Sequence, residues 1–537
     1  MPIAAIALLL ALPLLAVLSF IFFPFNDNWR HITQTVLSDY VTNSFVLIAG
    51  VSFGTLSIGI TGAWLTSMCD FKGRKFFSWA LLLPLALPAY IITYTYTGML
   101  DFAGPIQTYI RHTFNLGLGE YWFPEIRSIY GAIAVLSLVL YPYVFLLARA
   151  AFIEQSICVL EVSRTLGNNA IQSFYKVALP LARPAIIAGL SLALMETLAD
   201  YGTVQYFGVP TFTTGIFRTW FGLGDSATAA QLSVVLLMFV FSLILLERYS
   251  RKRAKFHHTS DRYSQIKRFK LTGSRSILAT VACALPLLLG FILPAAQLTS
   301  WTLFTSEETL DPAFLKLILN TLSLGLITAM IAVLLALSLA YIKRLRPSRI
   351  VNSSIRLSAM GYAIPGTIIA VGVMLPFSWL DNTLDSFMRE HFNITTGLIL
   401  SGSLAALVFV YTVRFLSVSI QSIESGLEKI KISIDDSGRS LGFPAFTVLR
   451  KIHLPLMRGT VLTALLLVFV DVLKELPATL ILRPFNFNTL AVRAYEMAAD
   501  ERLADAGPPA LAIVLVGIIP VILLNRSIDK SRAGRHA

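Results

Sequence analysis

Two pairs of carboxylates stand out in a chain otherwise poor in charge. Glu196 and Asp200 lie four residues apart, and Asp471 and Glu475 repeat that spacing. On a helix, each pair falls on one face. Tyr201 follows the first pair directly. Carboxylate and phenolate oxygens are hard donors suited to a small, highly charged cation. Both pairs stand in apolar surroundings, where ionisable side chains are costly and usually face a bundle interior or a water-filled path. Pairing within the chain, to Lys474 or Arg483, would serve equally well. Other chemistries find no footing. Cys69, Cys158 and Cys283 are far apart, with neither disulfide nor zinc spacing. The seven His form no ligand cluster, and there is no nucleophile motif and no Gly-x-x-x-x-Gly-Lys-Ser/Thr phosphate loop. The chain is therefore expected to be no enzyme, to bind no cofactor, and to leave ATP hydrolysis to another subunit.

The elements that position these groups are membrane helices. Of 537 residues 56% are hydrophobic and only 14% charged, with a mean hydropathy of +0.72; soluble domains carry roughly 25% charged residues. A crossing needs roughly 20 mostly apolar residues. Such runs occur near 3–23, 43–66, 76–99, 129–148, 184–206 and 228–246, and again near 277–298, 317–342, 355–380, 396–420, 459–482 and 508–525. The expected fold is an all-α membrane protein with about twelve transmembrane helices. The first run lacks a basic leader and a small-residue cleavage site, so it reads as an uncleaved helix.

Charge orients the helices. The stretches 66–75, 149–183, 247–275, 342–356, 414–458 and 525–537 hold 33 of the 43 Lys and Arg. These stretches alternate with the others along the chain, so the positive-inside rule places them, and both termini, in the cytoplasm. The net charge of +13 thus reflects topology, and no nucleic-acid partner is expected. The basic segment 248–275 reads as a solvated linker.

The chain is also written twice. Asn43 and Asn320 open similar helices, and Leu87-Pro88-Ala89 matches Ile364-Pro365-Gly366, each 277 residues on. Gly167 matches Gly442, Pro180 matches Pro455, Arg183 matches Arg458 and Glu196 matches Asp471, each 275 residues on. A tandem duplication of a six-helix unit follows, with halves 1–247 and 276–537 joined by the linker. Parallel repeats imply a pseudo-twofold axis along the membrane normal. Pro88 and Pro365 put bends at matching depths, whether as hinges or as packing kinks.

Between the fourth and fifth runs, within 153–183, lies Glu161-Val162-Ser163-Arg164-Thr165-Leu166-Gly167, then Leu179-Pro180. Between the tenth and eleventh, within 424–458, lies Asp436-Ser437-Gly438-Arg439-Ser440-Leu441-Gly442, then Leu454-Pro455. In both copies Gly follows the acid by six and Pro follows Gly by thirteen. A short polar helix on the membrane surface can insert into a partner, Gly167 and Gly442 allow a sharp turn after it, and Pro180 and Pro455 suit the start of the next helix.

These loops resemble the EAA loop of ABC importer permeases, although neither copy keeps Ala-Ala and Asp436 replaces Glu. The resemblance implies a type I importer permease unit in each half, with Glu161, Arg164, Gly167, Pro180, Asp436, Arg439, Gly442 and Pro455 docking a separate cytoplasmic ABC ATPase in two copies. Asp101-Phe102-Ala103-Gly104-Pro105-Ile106-Gln107, Tyr121 to Arg127, Gly361 to Thr367, and Asp471 to Thr479 continuing through Arg483 to Phe487 resemble fused permeases of bacterial ferric-iron importers. That family implies a periplasmic iron-binding protein as partner, ferric iron as cargo, and a multi-pass protein of the bacterial inner membrane. Glu196, Asp200, Tyr201, Asp471 and Glu475 are then candidates for lining the translocation pathway. Related fused permeases carry thiamine or phosphonates; the acids disfavour phosphonate, but charge alone does not separate iron from thiamine. An ion-gradient-driven secondary transporter would also use membrane carboxylates and repeats, but gives no reason for two such loops.

Overall fold

The computed structural model describes residues 2–117, 120–154, 167, 170–252, 268–309 and 311–530. Among these, ten helices are long and apolar enough to cross a membrane, from Ile3–Phe22 to Ala445–Leu473. The pair Arg74–Ala86 and Ala89–Phe114 is apolar enough when taken together but is bent by 91°, the geometry of a broken span or a re-entrant loop. The helix Gly507–Lys530 has a shorter apolar stretch, Gly507–Ile522, so each of the twelve expected runs meets a helix although ten of these pass as full crossings.

Several boundaries differ from expectation, each for a local reason. The run near 184–206 stops at Ala199, where Asp200 takes an extended conformation and starts a separate short helix, Gly202–Tyr206. The run near 396–420 begins only at Leu404. Carboxylates of the preceding helix, Gly366–Phe392, hold the connecting loop. Asp381 accepts backbone bonds from Leu400 (3.0 Å) and Ser401 (2.7 Å), and Asp385 from Thr396 (2.8 Å) and Gly397 (3.0 Å). Pro180 and Pro455 are the second residues of the α-helices Leu179–Ala199 and Leu454–Leu473, a helix start as expected, but that start is not the first helical turn of its segment. Helix begins earlier, at Ala170 and Ala445, and a π-turn, Phe174–Ala178 or Leu449–His453, precedes each proline. A proline ring clashes with the carbonyl four residues back and cannot bond to it; the wider π-turn lets the helix pass that point. Pro88 and Pro365 lie at helix breaks, each after a 3₁₀ turn and directly before helix Ala89–Leu100 or Gly366–Phe392.

The chain forms two compact units. One comprises Met1–Thr35, Gly215–Leu237 and Leu310–Arg493; the other comprises Val36–Thr214, Met238–Thr309 and Ala494–Ala537. In the first, helix Pro2–Ser19 packs on Arg349–Ser358 and Gly366–Phe392, and Gly372 lets the backbone at Pro13 approach closely. In the second, helix Leu293–Thr309 packs on Gly507–Lys530 and Ala89–Leu100, where Gly98 makes room for Trp301. The opening helix of each sequence repeat thus packs within a unit built largely from the other repeat. Helices apolar all round carry no stripe that would name their partner in advance. The far end of the linker segment also takes part, since Phe269–Lys270 pairs in parallel with Cys69–Asp70.

Candidate functional site

The second of the two matched loops, 424–458, is described in full. Ile432–Ser440 is a short helix, and its end is a Schellman cap: Gly442 N–H donates to Arg439 O (2.9 Å) and Phe443 N–H to Gly438 O (3.1 Å). The cap requires the left-handed backbone at Gly442, φ +81°. Gly167, at the matching position, has the same left-handed backbone, φ +82°. Both glycines are exposed, with open space around them. Asp436 and Arg439 are exposed too, as a partner-facing surface requires. Glu161 and Arg164 lie outside the described residues, and Pro180 and Pro455 follow the matched π-turns.

Beneath this helix sits a polar clamp that sequence reasoning missed. Asp435, next to the singled-out Asp436, is 6% exposed and receives Arg344 through Nε (3.0 Å) and Nη2 (2.5 Å). Arg344 also donates to Leu427 O and Ile430 O (2.8 Å), the carbonyls leading into the docking helix. His453 is wholly buried, with Nε2 3.1 Å from Asp435 Oδ1, and the Tyr341 hydroxyl donates to Ala445 O (2.6 Å). The helix is thereby tied to the end of span Pro312–Leu345. Only the adjacent pair Asp435-Asp436 hinted that one acid points inward. The repeat-related residue of the first copy is Leu160, so no such carboxylate exists there. Breaking a buried ion pair from one side costs about 3–5 kcal/mol. Arg344→Ala should therefore loosen residues 427–443 selectively, read as faster amide hydrogen exchange there and unchanged exchange in the spans; uniform protection would contradict the clamp.

The carboxylates serve the backbone in matching ways. Asp200 accepts from Thr203 N (3.0 Å) and Val204 N (3.1 Å), capping helix Gly202–Tyr206. Glu475 accepts from Ala478 N (3.0 Å) and Thr479 N (3.1 Å), capping helix Pro477–Leu482. Such caps satisfy donors that a helix start leaves unpaired. Glu475 carries a further partner, Arg414 Nη1 at 2.8 Å, in a pair almost wholly buried. Asp471 pairs with Lys474 (2.8 Å), and Arg483 donates to Asn488. Glu196 is half-buried, and the Tyr201 hydroxyl lies 3.3 Å from that of Tyr495. Among the described residues no three His, Cys, Asp or Glu come together as a metal site.

At the other end of the spans, Arg127 bridges Asp101 (3.1 Å) and Glu501 (2.9 Å). Its guanidinium is held protonated above the usual range, chiefly by the Glu501 hydrogen bonds. Beside it a cavity of about 290 Å³ is lined by Asp101, Gln107, Tyr121, Glu125 and Arg127 among others. In the other unit Asp225 is partly desolvated, but bonds from Thr228, Asn28 and Asn26 outweigh that and bring its pKa down to about 2.

A bundle of apolar helices built from a duplicated sequence, with a left-handed glycine at the matching place in each copy, fits a polytopic membrane permease. The chain belongs to the family described as binding-protein-dependent transport system inner membrane component, whose model matches it twice, over residues 56–255 and 332–532. It is a fused, two-half permease of the ABC importer class. It is 26% identical over 494 residues to the Fe(3+)-transport system permease protein FbpB 2 of Haemophilus influenzae, covering 91% of this chain and 90% of that one. It is 21% identical over 517 residues to the ferric transport system permease protein FbpB of Actinobacillus pleuropneumoniae, covering 92% and 70%. The molybdenum transport system permease protein ModB of Escherichia coli K12 is 27% identical over 231 residues, covering 41% of this chain and 96% of that one. One half of this chain thus corresponds to a whole single-unit permease.

Proposed function

We propose that this permease moves ferric iron into the cytoplasm, receiving it from a periplasmic binding protein. Two copies of a cytoplasmic ATPase drive it, docked on the loops around Gly167 and Gly442. The observation that carries the cargo is similarity to an Fe(3+)-transport permease across nine-tenths of both chains. The molybdenum relative matches a single half, which speaks to the scaffold more than to the cargo. Paired glycine turns of equal φ support the docking role. The loop charge asymmetry supports both termini in the cytoplasm. Glu161, Arg164, Pro180, Asp436, Arg439 and Pro455 complete the coupling loops. Glu196, Asp200, Tyr201, Asp471 and Glu475 stand along or beside the pathway, two of them holding the short helices that follow their spans.

The test is uptake of radioiron by cells with and without the gene. Uptake should vanish on deletion, return on complementation, and resist excess thiamine, phosphonate or molybdate. Unchanged iron uptake in the deletion strain, or strong competition by one of those solutes, would overturn the assignment.

A further inference from the structure

The unit that contains Asp200 concentrates phenols in one place. Tyr90 and Tyr94 have ring centroids 5.9 Å apart, Tyr94 and Tyr206 4.8 Å, and the Tyr201 and Tyr495 hydroxyls are 3.3 Å apart. Helix Gly202–Tyr206, whose start Asp200 caps, packs on helix Ala89–Leu100, which brings Tyr206 onto Tyr94. Tyr94 is only 2% exposed, and the hydroxyls of Tyr94 and Tyr206 are buried with no hydrogen-bond partner among the described residues. An unpaired buried hydroxyl costs free energy that a phenylalanine would avoid.

The duplication supplies an internal control. Positions related to Tyr90, Tyr94, Tyr201 and Tyr206 in the second half hold Thr367, Val371, Leu476 and Ile481. The short helix capped by the carboxylate forms there as well, and the phenol that meets it, buried Tyr411, has its hydroxyl hydrogen-bonded to Thr479 Oγ1. On the Asp200 side the buried hydroxyls of Tyr94 and Tyr206 have no such bond among the described residues, which leaves their oxygens open to a ligand.

We propose that Tyr94, Tyr201, Tyr206 and Tyr495, together with Asp200, form an oxygen-donor site for a hard trivalent cation, the ferric cargo. This rests on the ferric reading above. Phenol and carboxylate oxygens match such an ion. A carboxylate has about four lone-pair positions, and Asp200 spends three of them on Thr203 N, Thr203 Oγ1 and Val204 N, leaving Oδ2 able to accept once more. On binding, each ligating phenol exchanges its O–H bond for an O–Fe bond and releases one proton to water. On departure of the ion it takes a proton back. Iron stays ferric throughout, and no reductant is needed.

The experiment uses the full-length chain in lipid nanodiscs, titrated with ferric nitrilotriacetate. Phenolate bound to ferric iron absorbs in the visible by charge transfer. The band should form with the wild type, lose most of its intensity in the triple variant Tyr94→Phe, Tyr201→Phe, Tyr495→Phe, and persist in Tyr121→Phe, which lies outside the cluster. Iron-free Tyr94→Phe should melt at the same temperature as wild type or higher, because no internal bond is lost; a marked fall would show that the hydroxyl serves the fold, and would overturn the site. A wild-type protein that imports radioiron yet shows no band, or a band indifferent to the triple variant, also overturns the site while leaving the cargo assignment standing. Failure of the cargo assignment would appear separately, as unchanged iron uptake in the deletion strain.

Discussion

Gly442→Val should lower iron uptake by about tenfold or more while the permease still folds and the ATPase still hydrolyses ATP. Valine at φ +81° costs about 1–2 kcal/mol in the left-handed region, and its branched side chain is stiff as well. Each ~1.4 kcal/mol is a factor of ten in an equilibrium. The helix Ile432–Ser440 would escape by surrendering its Schellman cap, and the docking surface would lose its fixed angle. Gly442→Asn should keep most of the activity, since asparagine enters the left-handed region readily. Gly167→Val should act in the same way in the first copy. The readout is iron moved per ATP hydrolysed in proteoliposomes. Normal coupling in Gly442→Val would remove the loop from the mechanism.

Glu475→Gln should destabilise the chain by about 3–5 kcal/mol, the cost of leaving one member of a buried ion pair without its partner. Arg414 is the residue left behind: its guanidinium and the Glu475 carboxylate are 10% and 1% exposed. Adding Arg414→Met should recover much of the loss, because replacing both charges removes the uncompensated one. Asp200→Asn should behave differently. Asparagine caps helices about as well as aspartate, and the Asp200 side chain bonds to Thr203 and Val204 with no arginine like Arg414 beside it among the described residues, so its stability cost should be ~1 kcal/mol or less. Thermal unfolding of the three variants in one lipid system checks the order. Equal destabilisation by Glu475→Gln and Asp200→Asn would contradict the distinction. A large fall in uptake with little loss of stability in Asp200→Asn would assign its charge to the pathway.

Local signals in the sequence reached far in this protein. Apolar runs, loop charge and the repeat offsets act over short range, and they anticipated the helices and the paired glycine turns. The offset of 275 even superposes the two π-turns, Phe174–Ala178 on Leu449–His453. What stayed illegible depends on distance along the chain. Arg344 and Asp435 are 91 residues apart, and Arg414 and Glu475 are 61 apart. Nothing near either acid names its partner. The prolines were legible only in part: Pro180 and Pro455 do stand at the start of an α-helix, but the π-turn that joins each to an earlier helical turn has no residue signature. The capping role of Asp200 and Glu475 was readable in principle, since Thr203 and Thr479 follow three and four residues on. Their apolar surroundings drew attention to the membrane instead.

The most direct measurement uses proteoliposomes holding the permease with its ATPase, no ion gradient, and iron-loaded binding protein outside. Iron should accumulate only when ATP is present in the compartment that the docking loops face. Accumulation without ATP, or driven by an imposed proton or sodium gradient, would contradict an ATP-driven ferric permease.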